Sequence, residues 1–131
     1  MHYINFRFIG ERAENYTRGL VAIGPRIVGS LENEVLAVQY LNSSIQNIID
    51  KTDVNVHKIE LDVQKPTGTY FLGFRPYGHQ NSYENITNVV VKLSPSAGAT
   101  HSILMNCHFD TVPGSPGENM EIRVLGMIFK V

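Results

Sequence analysis

The chain has one cysteine, Cys107, so no internal disulfide can form and the redox compartment cannot be read from bridges. It has no run near the ~20 apolar residues that cross a bilayer. It has little net charge: 11 basic and 12 acidic residues give −1. That balance gives no electrostatic ground for a nucleic-acid partner or an acidic membrane surface. Met1 to Ile9 contains Asn5 and Arg7 and lacks the long apolar core of a secretory leader. What is there describes an ordinary globular domain: 131 residues, 43% hydrophobic and 18% charged.

Two helices are expected first. From Glu11 to Ile23, residues Ala13, Tyr16, Leu20 and Ile23 recur at helical spacing, and Gly24-Pro25 ends the run. Gly19 weakens that helix by about 1 kcal/mol relative to alanine. Arg26 to Gly29 is a short loop, and Ser30 is a good N-cap for a second helix from Leu31 to Ile49. Leu31, Val35, Val38, Leu41, Ile45, Ile48 and Ile49 form its core-facing stripe.

Strands follow. Val54 to Val63 alternates, but changes phase at His57-Lys58, which predicts a bulge or an edge strand. Pro66-Thr67-Gly68 is a turn, and Thr69 to Phe74 returns as a hairpin-like partner. Arg75 to Glu84 reads as a polar loop. Asn85 to Leu93 is a third strand, apolar enough to be covered on both faces. His101 to Cys107 is a fourth. The tail from Glu118 to Val131 is apolar and fits an edge strand, a short helix or an unpacked end.

Chemistry concentrates just after the fourth strand, at His108-Phe109-Asp110. Residues i and i+2 of an extended backbone point to one side, so His108 and Asp110 can face each other while Phe109 turns into the core. A metal-bound imidazole donates its other N–H to a carboxylate or carbonyl. His108 is therefore a candidate metal ligand and Asp110 its orienting partner. The competing reading is a strand-end histidine bonded to an aspartate with no metal. Cys107 should point away from the metal side as a buried, inert thiol. His101 lies about 23 Å away along the strand and is rejected as a co-ligand. Nothing in the spacing recommends His57 or His79.

Asn106-Cys107-His108-Phe109-Asp110-Thr111-Val112-Pro113-Gly114-Ser115-Pro116-Gly117 closely resembles the first metal-binding segment of the co-catalytic zinc aminopeptidase family. It looks most like that family's endoplasmic reticulum metallopeptidases of the Felix-ina type. Phe8 to Ala13, Leu20 to Ser30, Val63 to Gly68 and Asn85 to Leu93 resemble the same family, in its order. The resemblance implies an α/β fold: two N-terminal helices on a small mixed sheet, part of a zinc-aminopeptidase-like (phosphorylase/hydrolase-like) domain. It implies two zinc ions, a peptide substrate and a place in the endoplasmic reticulum membrane or lumen. Sequons at Asn15, Asn42 and Asn85 would matter only in the lumen.

The resemblance runs through residue 117 and stops, leaving 118–131 as a divergent tail. The family continues with Ala-Ser-Asp-Asp, whose first aspartate bridges the zinc ions. Here the chain reads Glu118-Asn119-Met120-Glu121. Met120 takes the bridging place, and a thioether cannot replace a bridging carboxylate. Glu121 could substitute only with a loop shift. The family's later Glu-Glu pair, further acidic ligand and final histidine are not in this sequence. Two functions follow. One is a zinc metallopeptidase of which this chain is a truncated form, inactive alone. The other is a non-catalytic form that binds a partner, such as itself or the full-length enzyme, through an open sheet edge.

Overall fold

In the computed structural model the described residues are 9–73, 78–114 and 127–130. Helix α1 spans Gly10–Val21 and carries Glu11 in its first turn and Arg18 in its last, the signs its dipole favours. Ala13, Leu20 and Ile23 are half-buried on its inner side, and Gly24, at φ 89°, turns the chain away.

The second helix begins where Ser30 predicts. The Asn33 amide donates to Ser30 Oγ at 3.2 Å, and the Glu34 amide to the Ser30 carbonyl at 2.9 Å. Its first stretch, Glu32–Ala37, is π-helical, and α2 proper runs Val38–Asp50. The wider winding changes which residues face in. Asn33 and Ala37 are the buried ones, while Leu31 and Val35 of the expected stripe stay exposed. A 3.6-residue period cannot be carried through a segment wound differently. The rest of the stripe holds at Val38, Leu41, Ile45 and Ile49, all half-buried; Ile48 is exposed.

The strands are β1 (His57–Gln64), β2 (Gly68–Leu72), β3 (His79–Tyr83), β4 (Asn88–Pro95), β5 (Ser102–Met105) and β6 (Met127–Lys130). They form two sheets. The larger has the order β1-β4-β6-β5, and the smaller is the β2-β3 ribbon. β1 pairs β4 antiparallel over its whole length, from His57 opposite Pro95 to Gln64 opposite Asn88. β6 runs parallel to β4 and antiparallel to β5, so the sheet is mixed. The chain is thus a small α/β unit of two helices and two small sheets.

Three expectations are corrected. β2 does not pair with β1. The β2-β3 ribbon is nested inside the β1-β4 hairpin, tied at its base by Asn85 N–H to Thr67 Oγ1 and Ile86 N–H to the Pro66 carbonyl, both 3.1 Å. The polar stretch read as a loop therefore contains β3. Second, the strand opens at His57 and not at Val54; of the two readings of the phase change at His57-Lys58, the edge strand holds and no bulge interrupts the pairing. Val54 to Val56 belong to a turn in which the Val56 and His57 amides both reach the Asp53 carbonyl. Third, β4 is only half-buried along most of its length.

The tail's strand is interior, between β4 and β5. The rest of the tail, including Glu118, Met120 and Glu121, falls outside the described residues, as do Met1 to Phe8 and Phe74 to Tyr77. No described helix is long and apolar enough to cross a membrane.

Among the described residues, only Ala37, Val89 and Phe109 are buried hydrophobics. Phe109 is the middle residue of the His-Phe-Asp segment itself, and Val89 lines the same cleft as that segment. The core sits directly behind the candidate site.

Candidate functional site

Beyond β5 the backbone leaves the sheet, and residues 106–112 run irregularly past the helix pair. Phe109 is 8% exposed and points into the core. Its neighbours on either side are released toward solvent. His108 Nδ1 lies 3.0 Å from Asp110 Oδ1, so the two side chains face one another. A carboxylate only accepts hydrogen bonds, so Nδ1 carries the proton and the Nε2 lone pair is left for another partner. Such an imidazole is ready to bind a cation through Nε2.

His108 and Asp110 open onto a cleft of about 490 Å³ that Val28, Asn33, Thr87, Val89 and Asn106 also line. On its other side His108 borders an apolar cavity of about 290 Å³ between the helices and the sheet, with Leu20, Leu41, Ile45 and Val91 in its wall. Cys107 is half-buried between these spaces, and burial pushes its thiol up to about 12. It is an apolar filler rather than a nucleophile.

Arg26 is the feature the sequence did not announce. It is 1% exposed. Its Nε donates to the Phe109 carbonyl at 2.8 Å, and its Nη1 to the carbonyls of Leu20 at 3.0 Å and Gly24 at 2.7 Å. Its backbone closes a second link: Arg26 N–H donates to Thr111 Oγ1, and Thr111 N–H returns to the Arg26 carbonyl, both at 2.9 Å. Asn33 Nδ2 donates to that same carbonyl at 3.1 Å. Burial pulls the guanidinium below its ordinary pKa, and the charge of Asp110 opposes that pull. A charged residue set between two helices in an otherwise apolar turn was the signal available.

The other histidines stay apart from the pair. His57 opens β1, His79 opens β3, and His101 precedes β5 and contacts Thr100 Oγ1 at 2.9 Å. Among the described residues no three His, Cys, Asp or Glu side chains gather as a metal-binding group. His108 and Asp110 supply one ligand and its orienting partner. A catalytic zinc takes three protein ligands, so the described residues alone do not make up its donor set.

No protein-family model matches the chain, and no solved structure matches it. Curated proteins do. Endoplasmic reticulum metallopeptidase 1 of Homo sapiens is 49% identical over 110 residues, covering 84% of this chain and 12% of that protein. The Rattus norvegicus and Mus musculus proteins of the same name are each 48% identical over the same share. The chain thus spans about an eighth of the length of these relatives. Over the matched 84% of its length, the chain belongs to the endoplasmic reticulum metallopeptidase family.

Proposed function

We propose that this chain carries the first metal-binding segment of a zinc-dependent, aminopeptidase-like metallopeptidase of the endoplasmic reticulum. His108 is the zinc ligand and Asp110 orients it. The supporting observation is the 3.0 Å contact between His108 Nδ1 and Asp110 Oδ1, which leaves Nε2 free on a residue that lines an open cleft. The names of the relatives support the reaction class and the compartment. In such enzymes zinc polarises a peptide carbonyl and acidifies a bound water. Among the described residues no further ligands gather with His108, so no hydrolytic step is assigned to them, and the reading carries the expectation that the 131-residue chain alone does not turn over peptide.

The test is calorimetric titration of the 131-residue chain with zinc, beside His108→Ala and an aminoacyl reporter assay. Zinc binding that His108→Ala removes, without turnover, supports the reading. Binding indifferent to the substitution overturns the ligand role. Zinc-dependent turnover lost in His108→Ala overturns the inactivity.

A second reading is favoured by β5, the outer strand of its sheet, whose Ile103, Leu104 and Met105 are 56%, 70% and 42% exposed. An apolar, unpaired edge of this kind invites another strand or another copy. Association of the chain that disappears in Leu104→Lys supports it, and a monomer at all concentrations overturns it.

A further inference from the structure

The backbone on both sides of Asp110 is held by one buried arginine. The guanidinium of Arg26 takes the carbonyl of Phe109, the central residue of His-Phe-Asp. The backbone of the same arginine is bonded twice to Thr111, the residue after Asp110. These links span 83 to 85 residues of sequence. They fix the Phe109–Asp110 and Asp110–Thr111 peptides, one on each side of Asp110, and so set where its carboxylate stands relative to His108. The arginine is itself fixed by the Leu20 and Gly24 carbonyls of the α1 terminus and by Asn33 of the π-helical turn. Gly24 and Gly29, each at φ 89°, bend the chain on either side of it.

The His-Asp pair has no such anchor of its own. The His108 side chain is 72% exposed and that of Asp110 36%. Two solvated side chains on an irregular backbone do not hold a shared geometry unless the backbone is held. We infer that Arg26 is the positioning residue of the His108–Asp110 pair: by clamping the Phe109 carbonyl and the Thr111 peptide it sets the separation of the two side chains, and with it the imidazole tautomer. The guanidinium suits this because its donors are fixed in a planar fork and stay charged when buried. This inference rests on the reading of His108 as a ligand, since it is Nε2 that the tautomer leaves free.

The experiment reads the tautomer directly and without metal. Long-range ¹H–¹⁵N correlation on the metal-free 131-residue chain, at about pH 8, separates Nδ1–H from Nε2–H imidazole. In the unsubstituted chain His108 should be the Nδ1–H form. In Arg26→Met the Nε2–H form, which imidazole in water favours, should become the majority, while amide shifts in α2 and the β1-β4 pair stay in place. A folded Arg26→Met chain that keeps His108 in the Nδ1–H form overturns the inference. Should Arg26→Met fail to fold, Thr111→Val removes one link at the same clamp and decides by the same readout: loss of the Nδ1–H majority supports, retention overturns. Because no zinc is present, this result stands apart from the zinc titration. A lost tautomer with His108-independent zinc binding would keep the clamp and reject the ligand.

Discussion

Tyr40 lies across Gly19. Its ring takes the space a Cβ at Gly19 would need, and its hydroxyl donates to the Tyr16 carbonyl at 2.9 Å. This joins α1 to α2 through a close approach in which a Cβ at Gly19 would displace the Tyr40 ring and with it this hydrogen bond. Helix propensity alone says Gly19→Ala should stabilise by about 1 kcal/mol. Overpacking against the tyrosine ring costs roughly 1–3 kcal/mol. The second effect wins, so Gly19→Ala should lower stability by about 1 kcal/mol in urea unfolding. In a Tyr40→Ala background the sign should reverse, since the obstruction is gone and the propensity gain remains. Gly19→Ala stabilising the unsubstituted chain would mean the ring does not occupy that space.

Glu60 sits between two lysines. Lys58 precedes it by two on the same strand and Lys92 faces it across the β1-β4 pairing, each at 2.7 Å. Hydrogen bonds from Lys58 and then Lys92, with their charges, hold its carboxyl down at about 2. An unfolded glutamate titrates near ~4.3. The folded value is the lower one, so the proton binds more tightly to the unfolded chain. The contribution is present above ~4.3 and is lost as pH falls toward about 2. Glu60→Gln should therefore be less stable than the unsubstituted chain near neutral pH. The two curves should meet at the acid end of that window. About 1 M salt should shrink the gap, because the group is solvated. A gap that persists at the acid limit would assign the effect to packing.

Part of this arrangement was legible in the sequence. Both helices were, because apolar residues at helical spacing and Ser30 mark them physically. The phase of the second helix's first stretch was not, because Asn33 and Ala37 are turned inward by π-helical winding that leaves no pattern of its own. The sheet pairing is hidden in the sequence at one point, β3. His79 to Tyr83 is polar and exposed throughout, so its strand lacks the alternation that burial writes into a sequence. With β3 unseen, β2 had only β1 to pair with. At the site, the facing of His108 and Asp110 was readable from a period of two, although the backbone that carries them lies beyond β5 and is irregular. Arg26 was not, because its role is made by residues more than 80 positions away. A loop arginine on the page looks like a solvated charge.

Cys107 gives the last prediction. It precedes His108, is half-buried, and burial raises its thiol to about 12. The thiolate is the nucleophile, and an unfolded cysteine titrates near ~8.5. At about pH 8 a substantial share of unfolded chains carries the thiolate, and almost none of the folded ones do. Iodoacetamide should therefore label the native chain roughly a hundred- to a thousandfold more slowly than the chain in denaturant. The sign of the linkage also sets a stability window. The folded state holds the proton more tightly, so this contribution is intact below ~8.5 and declines as pH rises toward about 12. Native labelling as fast as unfolded labelling would mean that Cys107 is open to solvent, and the packing behind His108 would have to be redrawn with it.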